Sequence, residues 1–266
     1  MNQISFITAN YVARELDYHM TQGWMQGDTA TQNAFRPIET FGQKFDEMLK
    51  DIKQLGFKAI DLWGGHLNPA WATPEHLNMA KTLLNHYDIQ VLSLANGVSS
   101  LEELEGFCKI ATALDVPIIA GGAAFVKTQR NEAIEVLKTY NIKLGLENHP
   151  EKTPTEVLAQ IGDGADGHIG TSPDTGWWGT QGYDAAKALH ELKDHILTVH
   201  LKDIKAVGGH ETCRFGQGVV DIQACVKTLK DIGYTGVLGI EHEPEHFDPN
   251  QDVQESLKLL QGWLKD

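Results

Sequence analysis

Two short stretches of this chain read almost alike, "LGLENHPE" at 144–151 and "LGIEHEPE" at 238–245, each with a Gly two places before a Glu and a Pro three places after it. A carboxylate that ends an apolar strand can act as an acid–base group or as a ligand of a hard cation, and two facing carboxylates can work on one substrate from both sides. Between the two stretches lie "TSPDTGWW", which carries Asp174, and "LTVHLKD", which carries His200. Glu147, Asp174, His200 and Glu241 form a mixed oxygen and nitrogen set that suits one divalent ion bound octahedrally, with two positions left for substrate oxygens. The expected ion is Mn²⁺, with Mg²⁺, Co²⁺ or Zn²⁺ as alternatives; Zn²⁺ usually prefers tetrahedral sites richer in nitrogen or sulfur.

Such residues need a scaffold that carries them to one place. Eight short apolar runs have strand character: 4–10, 57–63, 89–95, 116–122, 142–148, 168–174, 196–202 and 236–242. Amphipathic segments alternate with them. In 42–56, Phe45, Met48, Leu49, Ile52 and Leu55 make one stripe before Gly56; Thr73 and Pro74 open 73–87, and Asp221 opens 221–233. Eight strands, each followed by a helix, predict an α/β fold of one domain over 1–266, a (β/α)₈ TIM barrel. An open doubly wound sheet is the runner-up, but the first strand–helix turn lacks a glycine-rich dinucleotide loop. Strand alternation turns Ile142, Leu144 and Leu146 toward the helices and Lys143, Gly145 and Glu147 into the barrel. The same rule sends Leu238 and Ile240 outward and Val237, Gly239 and Glu241 inward. Each Glu then ends its strand at the C-terminal mouth, where barrel enzymes keep their active sites.

Composition excludes several function classes. With 22 Lys and Arg against 36 Asp and Glu, the net charge is −14, and only four arginines are present, so the field repels polyanions. We expect no nucleic-acid partner. Three scattered cysteines, Cys108, Cys213 and Cys225, argue against a disulfide framework. The first residues, "MNQISFITANYV", lack a basic and then apolar leader, and no run is long enough to span a bilayer. The expectation is a cytoplasmic protein without a membrane partner; a homo-oligomer is compatible with the sequence.

The order "LENHP", "DTGW", "HLKD", then "RFGQG" and "DIQACVKTLKDIGYTGVLGIEHE", resembles the sugar phosphate isomerase/epimerase superfamily, with its xylose isomerase-like TIM barrel and apurinic-endonuclease-2-like fold. The resemblance runs from "GFKAIDLW" to the terminal helix. It implies that Glu147, Asp174, His200 and Glu241 bind one divalent metal and that Glu147 and Glu241 double as acid and base. Many members carry His three residues after the metal-binding Asp; here Trp177 stands there, and it is expected to stack on a sugar ring. His66, Lys202, Arg214, Trp63 and Trp24 complete the expected substrate contacts. The segment 11–41 is expected as a long connection after the first strand, acting as a lid.

The chemistry implied is proton abstraction beside a carbonyl, through an enediolate steadied by the metal, on a small carbohydrate substrate. Return of the proton to the opposite face epimerises, return to the adjacent carbon isomerises, and loss of a β-hydroxyl dehydrates. An isomerase or epimerase of sugars or sugar phosphates is the first reading. A lyase or dehydratase on a keto-sugar, keto-glycoside or inosose is the second. An apurinic endonuclease would demand more histidines than this chain places after Asp174 and His200, and a different overall charge.

Overall fold

A computed structural model describes residues 2–265. Among the described residues there are nine strands: β1 Gln3–Ile7, β2 Ala59–Trp63, β3 Gln90–Ala95, β4 Ile118–Gly121, β5 Lys143–Leu146, β6 Ile169–Thr171, β7 Thr198–Ile204, β8 Thr212–Cys213 and β9 Val237–Glu241. Their order in the sheet is β6-β5-β4-β3-β2-β1-β9-β7-β8. All pairs are parallel except β7 with the two-residue β8, which folds back as a hairpin on the mouth side. The parallel bridges Thr171–Ile196 and Asp174–His200 join β6 to β7, so the ring closes into the expected eight-stranded barrel. The eighth barrel strand is β9, because β8 had no apolar run to announce it.

The helices form where apolar residues recur at helical spacing. Helix α1 runs Trp24–Phe35, α2 Ile38–Gln54, α3 Pro74–Tyr87, α4 Leu101–Ala113, α5 Arg130–Tyr140, α6 Pro154–Ile161, α7 Thr175–Thr180, α8 Ala185–Glu191, α9 Ile222–Asp231 and α10 Asn250–Lys265. Phe41, Phe45, Met48, Leu49 and Ile52 bury the stripe of α2, and Thr73 caps α3 through a reciprocal box with His76. The main core lies between sheet and helices, where Leu144, Leu146, Leu238 and Ile240 all point as alternation requires. All three cysteines are free and buried there or beside it.

The segment 11–41 is not a long loop. A 3₁₀ turn at Thr8–Tyr11, another at Arg14–Leu16 and the twelve-residue α1 occupy most of it, and α2 begins at Ile38. Only Gly27, Thr31 and Phe35 of α1 are buried. That stripe is short and mostly small or polar, so its period was hard to see in the sequence.

The barrel interior is polar under the mouth. A side chain added at Gly145 would run into Ser172 Oγ, and one at Gly239 into Asp61 Oδ2 at 2.7 Å and Ile7 at 2.9 Å. Each glycine below a Glu therefore leaves room for a neighbour's inward side chain. Asp61 is fully buried and accepts a 2.7 Å hydrogen bond from Ser5.

Candidate active site

Glu147, at the end of β5, and Glu241, the last residue of β9, meet His200 of β7 at the mouth. One ligand atom from each of these three lies within 4.8 Å of the other two. His200 Nδ1 is 3.5 Å from Glu147 Oε1 and 3.3 Å from Glu241 Oε2. Neither histidine nitrogen has an aligned hydrogen bond, nor does Glu241 Oε2, although all are buried. Buried polar atoms are normally satisfied, so the unpartnered His200 Nδ1 and Glu241 Oε2, 3.3 Å apart, fit a site made for a cation. Burial works against charge on His200, but Glu147 and Glu241 outweigh it and raise the imidazole well above its usual range.

Asp174 stands beside this trio. Its Oδ1 accepts the amides of Gly176 and Trp177 and so caps α7. Its Oδ2 is 2.9 Å from Lys202 Nζ, close enough for an ion pair but without the alignment of a hydrogen bond. Asn148 fixes it in place, because its side chain donates to the Asp174 carbonyl and accepts the Asp174 amide at 3.0 and 2.7 Å. Lys202 also reaches Glu241 Oε1 at 2.8 Å and Glu243 Oε2 at 3.2 Å. Burial disfavours the ammonium charge, yet these three carboxylates hold Lys202 well above the ordinary lysine range. In return, burial alone would push Glu241 up, but Lys202 and His200 bring it down to about 2.

The cavity above the trio has a volume of about 330 Å³ and includes Glu147, His200, Glu241, Trp24 and Trp63 in its lining. Trp24 and Trp63 meet edge to face at 5.2 Å, so α1 and β2 together supply one aromatic wall. A larger and more open depression around Lys127, Arg130 and Glu151 contains none of the site residues.

Other expected contacts fall elsewhere. His66 is only 2% exposed, is pressed between Phe35 and Trp63, and is brought down to about 3 by burial, so it supports Trp63 rather than reaching the cavity. Trp177 lies outside the cavity lining, with His149 stacked on its ring at 3.6 Å and His210 tilted against it at 4.9 Å. Arg214 pairs with Glu255 of α10 and does not line the cavity. Sequence reasoning missed Glu243, Asp61 and Asn148. Glu243 sits in "IEHEPE" two residues after Glu241, the next position on the same face, and that spacing was the signal available for it.

The model of the family described as "Xylose isomerase-like TIM barrel" matches residues 49–265. An uncharacterized protein of Methanocaldococcus jannaschii, MJ1311, is 31% identical over 143 residues, which cover 51% of this chain and 47% of that protein. The L-ribulose-5-phosphate 3-epimerase UlaE of Escherichia coli is 36% identical over 94 residues, covering 35% of this chain and 31% of the enzyme. The chain thus aligns with less than half the length of either relative. Among solved structures, an L-ribulose 3-epimerase superposes with a TM-score of 0.72 at 17% identity, over 100% of this chain and 95% of that one. The IOLI protein with a bound zinc atom superposes with a TM-score of 0.69 at 15% identity, over 97% and 96% of the two chains.

Proposed function

Because the chain belongs to the xylose isomerase-like TIM barrel family, we propose that it is a divalent-metal-dependent epimerase or isomerase of small sugars. The observation that carries this reading is the meeting of Glu147, His200 and Glu241 within 4.8 Å at the barrel mouth. These three would hold the ion. Asp174 stands outside that group and would complete the set only by turning Oδ2 from Lys202 to the ion. The oxygen-rich donors favour Mn²⁺ among the ions expected. When bound, the ion supplies Lewis-acid polarisation of a carbonyl.

The protein's own groups do the rest. Glu147, 19% exposed and facing the cavity, removes the proton beside the carbonyl. Glu241 faces the same space from β9 and, on taking a proton from solvent, delivers it to the other side, while Glu147 releases its own to solvent. Trp24 and Trp63 provide apolar walls that exclude water and hold a ring face. Lys202 aims Glu241. The proposed setting is the cytoplasm, with a small carbohydrate as partner; the net charge of −14 supports neither nucleic acid nor an anionic membrane as one.

The test is turnover in D₂O of the metal-loaded protein against ketoses, keto-glycosides and inososes, both free and phosphorylated, followed by NMR. The expected result is deuterium at the carbon beside the carbonyl, together with an epimer or isomer. An unsaturated product would move the assignment to the lyase class. Absence of exchange with every compound, at about one bound ion per chain, would sink the proposal.

A further inference from the structure

We infer that the site takes an uncharged, hydroxyl-rich substrate and rejects its phosphate ester. This deepens the function proposed above and rests on it.

The first argument is the charge of the cavity. Beyond the ligand trio, its polar lining is Asp28, Gln32, Asn68, Asn96, Glu103 and Glu243. Among the described residues no Lys or Arg lines it. The cation nearest the floor, Lys202, is already shared by Asp174, Glu241 and Glu243. A phosphate dianion in this space would face Asp28, Glu103 and Glu243 with no free cation to meet it, and the proposed metal would already be met by three carboxylates, those of Glu147, Glu241 and Asp174. Amides and carboxylates suit hydroxyl groups instead, because an amide can accept from or donate to an O–H and a carboxylate can accept from one. Trp24 Nε1 donates to Glu243 Oε1 at 3.0 Å, so this carboxylate is held in place as an acceptor.

The second argument concerns backbone amides, the other usual means of holding a phosphate. Barrel enzymes commonly bind phosphate through loops after the seventh and eighth strands and at helix N-termini. Here the amides of Gly216, Gly218 and Val220, in the glycine-rich loop after β8, all donate to the carboxylate of Asp203 at 3.0 Å. At the start of α7, the amides of Gly176 and Trp177 donate to Asp174. Before α4, which borders the cavity through Glu103, the Ser99 amide and hydroxyl both donate to Glu103 Oε2 at 2.7 and 2.6 Å. At all three places the chain's own carboxylate takes the position an anion would need.

The experiment compares kcat/KM of the metal-loaded protein for a free ketopentose or ketohexose and for its terminal phosphate. The expected result is at least a tenfold preference for the free sugar, about 1.4 kcal/mol. The preference should shrink when ionic strength rises from ~0.02 to ~0.5 M, because screening weakens repulsion of the ester. In Asp28→Asn, which removes one wall charge, it should fall several-fold, through a lower KM for the ester. A preference for the ester would overturn this inference while leaving the proposed function standing. A preference for the free sugar that neither salt nor Asp28→Asn alters would overturn the electrostatic account. No exchange on either compound would remove the proposed function, and this inference with it.

Discussion

The ends of β5 and β9 share a motif and differ in almost everything around it. Glu147 keeps 19% of its side chain exposed, and among the described residues its one cationic partner in the site is His200, at 3.5 Å. Glu241 is 8% exposed and is held by Lys202 at 2.8 Å as well as by His200. The residues that follow diverge too. Asn148 ties β5 to Asp174 at the end of β6, and His149 lies on Trp177. His242 turns away to Thr212 and Asp252, while Glu243 turns back to Lys202 and Trp24. One Glu is thus left partly exposed beside a single cationic partner, and the other is clamped by two. Sequence likeness sets where a side chain starts; its neighbours across the barrel set what it can do.

The largest effect is expected for Glu241→Gln. It removes a ligand, an acid–base group and a partner of Lys202, so kcat/KM should fall by about 10⁴-fold, the upper end for such a group, and calorimetry should show metal affinity falling too. Glu147→Gln should lose about 10²–10⁴-fold in turnover under saturating metal, with a clearly smaller loss of metal affinity than Glu241→Gln. If the two variants lost metal equally, the contrast between the two carboxylates would be broken.

Lys202→Met tests the clamp itself. Three carboxylates within 3.2 Å of Nζ would remain buried without their cation. Loss of one partner from a buried charge pair typically costs about 3–5 kcal/mol, which urea titration of the metal-free protein would read. A cost under about 1 kcal/mol would mean that the lysine is incidental to Glu241.

A smaller effect separates the two glycines. Gly145→Ala should cost about 1–3 kcal/mol through overpacking, because its new methyl meets the hydroxyl of Ser172. Adding Ser172→Ala should restore most of that loss, since the offending atom is then gone. Gly239→Ala meets Ile7 as well as Asp61, so no single truncation should rescue it. Thermal melts of the parent chain and these three variants would show whether the pair behaves this way.

The smallest effect is expected at Trp177. With its ring stacked on His149 and outside the cavity, Trp177→Phe should change KM by less than about threefold, whereas Trp63→Ala, on the cavity wall, should raise it by tenfold or more. Equal effects at the two positions would return Trp177 to the substrate.

Much of this protein was legible along the chain. Period-two and period-3.6 patterns are local properties of a backbone, so "IKLGLE" and "GVLGIE" declared which residues face inward, and the stripe of α2 declared its helix. The inward position of Glu147, His200 and Glu241 followed from counting, and the family order of motifs pointed to the same residues. What could not be read locally depends on distance across the barrel. Nothing near Trp177 in sequence announces that His149 will lie on its ring, and nothing near Arg214 announces Glu255. Helix α1 was hidden because its buried face is Gly, Thr and Phe, too weak a stripe to stand out until the turns before it fold against it. Lys202 follows His200 by two residues, which places both on one face of β7. That its ammonium would join Asp174, Glu241 and Glu243 was decided only when strands distant in sequence closed the ring, because burial in that shared space is what makes one lysine the counter-ion of three carboxylates.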